Sequence, residues 1–156
     1  MKTNIGIKET NLKVVAGQLA KLLADESVLL TKTYNAHWNV EGADFHAAHK
    51  FFESQYEELR DFIDDIAERM RALGHFAPAT MKEFLELSQL SEKRKNDNSS
   101  AGYIKDLLAD HESIIITLRE NIIKCAEAND LGTSDFVTGL MEKHEKMAWM
   151  LRSHLG

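Results

Sequence analysis

Proline and cysteine each occur only once in these 156 residues. With Pro78 as the sole proline, helices are free to run long, because proline is the strongest interrupter of the helical ladder. With Cys125 as the sole cysteine, no disulfide can close within the chain. That favours a reducing compartment and makes the thiol a small buried apolar group. Long apolar runs are missing too. Stretches such as Ile114 to Ile116 fall far short of the roughly 20 residues that span a bilayer, and no basic-then-apolar leader opens the chain. Nor is there a surplus of positive charge. The 19 Lys and Arg face 25 Asp and Glu, a formal net charge of −6, which argues against a general affinity for phosphate backbones. A cytoplasmic location is therefore expected.

What is present is helical periodicity. Apolar residues make up 44% and charged residues 28%, a globular balance in a chain long enough for one domain with a core of its own. Residues 1–10, with Lys2 and Lys8 against Glu9, read as a short tail. A first long helix is expected from Asn11 to about Val40–Gly42, with Leu12, Val15, Leu19, Leu22, Leu29, Leu30, Tyr34 and Trp38 as its stripe. A second is expected from Phe45 to Leu73, with Asp44 as N-cap and Gly74 as its stop. Thr80 and Glu83 form a capping-box pattern for a short helix from Met81 to about Leu90. After the polar loop SEKRKNDNSS, a third long helix is expected from about Ala101 to Ala128. The segment Asn129 to Ser134 breaks it, and Thr133 is placed as the cap of a fourth helix ending near Leu155. No strand pattern or internal repeat competes with this all-α reading.

The chemistry concentrates between Asn35 and Leu73. His37, His49, Glu53, Asp64 and Glu68 are all residue types that ligate transition metals. His37 falls in the last turn of the first helix. On the second helix His49 and Glu53 share one face one turn apart, as do Asp64 and Glu68. The eleven-residue step from Glu53 to Asp64 nearly restores the face but covers about 16 Å. Ligands sit about 2 Å from a metal, so the two pairs cannot share an ion within one chain. A second copy lying antiparallel, with a two-fold axis near Glu57 to Leu59, would bring His49 and Glu53 of one chain against Asp64 and Glu68 of the other, twice per dimer. The alternative is that all four groups face water on an amphipathic helix. A di-iron site inside one bundle would use Glu-x-x-His pairs, and none of the glutamates has His three residues on.

The string NAHWNVEGADFHAAHKFFE, followed by DDIAERMRALG and a late HEKMAWML, closely resembles the Dps family, the miniferritins of bacteria and archaea. The likeness extends over nearly the whole chain. It implies a ferritin-like four-helix bundle with a short extra helix in the long middle crossover. The family's ferroxidase ligands fall on His37, His49, Glu53, Asp64 and Glu68, supplied by two subunits; the family commonly has Asp at the position of Glu53. The implied activity is oxidation of Fe(II), preferably by hydrogen peroxide, with ferric mineral stored in a hollow homododecamer as a protection against oxidative stress. By the same resemblance Glu127, Asp130 and Asp135 are candidates for an iron-access channel; the other reading has Asp135 favouring a helix N-terminus and Asp130 a turn. Trp38, beside a ligand, is either core or a radical trap. His46 reads as a surface or interface residue more than a ligand, and His75, His111, His144 and His154 as structural or solvated. Two other functions remain open: a nucleoid-binding protective protein, and an assembly holding zinc or another ion in place of iron. DNA binding is disfavoured, since twelve copies at −6 each give a formal charge of about −72.

Overall fold

The computed structural model describes residues 3–93 and 96–156. Met1 and Lys2 of the expected tail, and Arg94 and Lys95 of the polar loop, lie outside the described residues. Five helices follow in order: α1 Glu9–Asn39, α2 Phe45–Ala72, α3 Met81–Leu87, α4 Ser100–Glu127 and α5 Leu131–Ser153. No strand forms among the described residues; one isolated bridge joins Glu41 to Ser99. That bridge sets the topology. It puts the start of α4 beside the start of α2, so those two helices run in the same direction. Asn11, near the start of α1, donates to the carbonyl of Ala128 just past the end of α4. The chain therefore forms two antiparallel hairpins, α1/α2 and α4/α5, and the long crossover carrying α3 packs against α1. Among the described residues, no helix is long and apolar enough to cross a membrane.

The core forms where the four stripes meet. On α2 it takes Ala48, Phe52, Leu59, Phe62, Ile66 and Met70, which recur at steps of three, four or seven residues and so line one face. Burying each large apolar side chain contributes about 1.5–3 kcal/mol. Cys125 is buried among them, as expected.

Helix ends account for most differences from the sequence expectations. Gly74, at φ 88°, stops α2: its N–H reaches Arg71 while that of His75 reaches Met70, the Schellman pair. Asp44 stands at the α2 N-cap position but does not cap it; its carboxylate instead accepts from Ser100 across the bundle end. The Thr80–Glu83 capping box is present, but α3 ends at Leu87. Asn129, at φ 59°, ends α4 with the same paired bonds, from Asn129 to Ala126 and from Asp130 to Cys125. The cap of α5 is Asp130, not Thr133: its carboxylate accepts the Thr133 N–H at 2.9 Å. Thr133 is inside the helix, where its hydroxyl donates to Asp130 at 2.6 Å and accepts from Arg69 at 2.9 Å.

Candidate metal centre

The end of α1 and the start of α2 are joined by a tight link, which brings His37 and His49 face to face. Their rings stack with centroids 3.7 Å apart. The Nδ1 of His37 lies 2.8 Å from the carbonyl oxygen of His49, and the Nδ1 of His49 lies 2.7 Å from that of His37. A carbonyl oxygen can only accept, so both rings carry a proton on Nδ1. In the neutral ring Nε2 then keeps a lone pair that a metal ion can take. Glu53 follows one turn after His49 and is bound at 2.6 Å by the ammonium of Lys50. That hydrogen bond, with the charge of Lys50, holds the Glu53 carboxyl below the usual range despite some burial. This edge of the bundle therefore presents two imidazoles and an ionised carboxylate already paired with a cation.

Asp64 and Glu68 lie further along α2 and are exposed. Among the described residues, no three His, Cys, Asp or Glu side chains of one chain converge closely enough to hold a metal ion. Within one chain the stacked pair His37 and His49, with Glu53 one turn further on, makes a candidate half-site that does not by itself converge on one ion.

Aromatic rings surround this half-site. Tyr56 meets His37 edge-on at 5.1 Å and tilts against Tyr34 at 4.8 Å, and Tyr34 stacks on Trp38 at 5.2 Å. Burial, followed by the charge of Glu53, pushes the Tyr56 phenol up, which keeps it protonated. The core reading of Trp38 is overturned: the side chain is 68% exposed, because this position on α1 points away from the other helices. The sequence reading missed Tyr34 and Tyr56 as neighbours of the half-site. Their spacing was the available signal: Tyr34 stands three residues before His37, and Tyr56 one turn after Glu53 and two turns after His49 along α2.

His46 is exposed. His154 bonds its own helix at Met150 and packs on Phe51. His111 and His144 are fully buried against one another and so are not solvated. Of the channel candidates, Glu127 and Asp135 are exposed. Asp130 is buried, capping α5 and pairing with Arg69 at 3.1 Å. Its carboxylate is thus committed to the α4–α5 turn, and Glu127 and Asp135 are left as the accessible acids there.

A ferritin-like domain model matches residues 16–156. A low temperature-induced protein of Nostoc sp. is 42% identical over 99% of this chain and 87% of its own length. A DNA protection during starvation protein of Bacillus anthracis is 39% identical over 92% of this chain and 97% of its own. The Dps protein of Vibrio cholerae superposes with a TM-score of 0.94 at 28% identity, covering 100% of this chain and 98% of that one. That protein is described as one of a broad superfamily of ferritin-like diiron-carboxylate proteins. The helix order and the matching domain model together define a ferritin-like protein. Within that class, the chain belongs to the Dps family.

Proposed function

We propose that the protein is an iron-storing ferroxidase whose metal centre is shared between two subunits of a closed homododecamer. The observation that carries this reading is the reciprocal anchoring of His37 and His49, which leaves both Nε2 atoms free to ligate. His37, His49 and Glu53 of one chain would bind Fe(II) together with Asp64 and Glu68 of the partner subunit. The imidazoles fix the position of the ion, and the carboxylates offset its rising charge. Two ferrous ions supply one electron each, the O–O bond of hydrogen peroxide breaks, and two protons complete two water molecules. The ferric product passes to the interior as mineral. Assembly is supported by large apolar side chains left exposed on the single chain, among them Phe76, Ile116, Ile123, Leu131 and Trp149.

Stopped-flow mixing of anaerobic Fe(II)-loaded protein with hydrogen peroxide or dioxygen tests the activity. Peroxide should react faster than dioxygen, and the Asp64→Ala/Glu68→Ala variant should lose the fast phase with both. Parental rates in that variant would overturn the assignment of the acids. Tight binding of Fe(II) with no faster oxidation than in buffer would favour a metal-holding assembly instead.

A further inference from the structure

Far from the half-site, three polar groups meet inside the bundle. Glu26 of α1, His111 of α4 and His144 of α5 are each 1% exposed or less. Oε1 of Glu26 lies 2.8 Å from Nε2 of His144, and Nδ1 of His144 lies 2.9 Å from Nδ1 of His111. Neither oxygen of Glu26 has a well-aligned hydrogen bond within the protein. A lone carboxylate held this way in a core is costly, and a proton on the adjoining imidazole cancels its charge.

The charged neighbours of the trio are engaged elsewhere. Asp25, next to Glu26, turns away and accepts from Ser88 and from the Gln89 N–H. Asp110, next to His111, is ion-paired with Lys32 of α1. The α2 helix contributes the apolar ring of Phe62, 5.3 Å from that of His144, and the Lys143 ammonium of α5 sits over Phe62 at 5.0 Å.

We propose that Glu26, His144 and His111 form a proton-binding site at the bundle centre, which holds one proton beyond the Glu⁻/neutral-ring state and is forced open by a second. The geometry gives the reason. With one such proton, the His144 ring faces the Glu26 carboxylate as an ion pair at 2.8 Å and donates from Nδ1 to the lone pair of His111, and the trio is neutral. A further proton on His111 would set two Nδ1–H groups against each other across 2.9 Å and leave a net positive charge buried. The contact must then break. Because His111 lies on α4 and His144 on α5, the break opens the α4/α5 hairpin at its centre, where Glu26 of α1 rests against His144.

Burial, with the charge of His144, pushes the His111 imidazole well below its ordinary value. The sign of the pH dependence follows. The unfolded chain takes up a proton at this histidine as pH falls through about 6.5, and the folded chain does not. The contribution of His111 to stability is fully present above that pH and declines below it, by up to about tenfold in the folding equilibrium per pH unit.

Hydrogen exchange of the intact metal-free protein, read by mass spectrometry from pH 7.5 to 4.5 and corrected for intrinsic rates, tests the site. Segments 22–30, 107–115 and 140–148 should lose about tenfold or more in protection on acidification, ahead of the end of α2 at 66–72. In His111→Asn the amide occupies the Nδ1 position and cannot titrate, so neutral-pH protection should persist and the acid step should shrink or move lower. In Glu26→Gln the first proton already adds net charge, so the step should move to higher pH. Opposite shifts in the two variants support the site. An unchanged step in His111→Asn, a shift to lower pH in Glu26→Gln, or no acid step in the parent would overturn it.

Discussion

His37 and His49 hold each other in place, each ring donating from Nδ1 to the main-chain carbonyl of the other, at 2.8 and 2.7 Å. Because each bond ends on a backbone oxygen, replacing one ring leaves the other anchored. His37→Ala and His49→Ala should therefore each keep the fold and lose a single ligand. Peroxide-driven Fe(II) oxidation should fall by about tenfold or more in either variant, as stopped-flow absorbance would show. A parental rate in both would remove the imidazoles from the site.

Glu127 and Asp135 are the exposed acids beside the α4–α5 turn. If they draw Fe(II) inward, Glu127→Gln/Asp135→Asn should slow iron uptake several-fold at low ionic strength. The difference should vanish near 1 M salt, where the Debye length is about 3 Å. Equal uptake by parent and variant at low salt would rule out this route.

Asp130 has a different task. Its carboxylate caps α5 and pairs with Arg69, so Asp130→Ala removes a cap and leaves a guanidinium without its partner. The loss should be roughly 2–4 kcal/mol. It would be read as a lower denaturant midpoint at fixed protein concentration, and a change under about 0.5 kcal/mol would contradict the structural role.

The extent of α2 was legible because both ends carry local signals: Phe45 opens the apolar stripe, and Gly74 supplies the left-handed residue that stops it. The cap of α5 was misread because Asp130 and Thr133 both suit an N-cap, and the choice depends on Arg69, 61 residues away from Asp130. His111 and His144 lie 33 residues apart on different helices. Neither shows its partner in the sequence, though each interrupts an apolar stripe, His111 between Leu107 and Ile114 and His144 between Leu140 and Met147. Trp38 fitted the α1 stripe by spacing, yet that edge of the stripe turns outward. The meeting of His37 and His49 was legible from the short α1–α2 link, while Asp64 and Glu68 stand exposed further along α2 and do not join them in one chain.

Trp38 stacks on Tyr34, which meets Tyr56 beside His37, so a hole formed at the half-site has an aromatic route to the surface. During turnover with excess peroxide, Trp38→Phe should shift oxidative modification from residue 38 to Tyr34 and Tyr56. Peptide mass spectrometry would show this, and an unmodified Trp38 in the parent would end its candidacy as a radical trap.

The most direct measurement concerns the sharing of the site between chains. One variant carries His37→Gly and His49→Gly, the other Asp64→Ala and Glu68→Ala, and each alone should lack fast peroxide-driven oxidation. The two are then unfolded, mixed in equal amounts and refolded together. Random pairing makes about half of the dimer interfaces mixed, and in each of those one site regains every native ligand. Roughly a quarter of the parental activity should therefore return. No recovery, in shells that mass spectrometry shows to contain both variants, would contradict a centre built from two subunits.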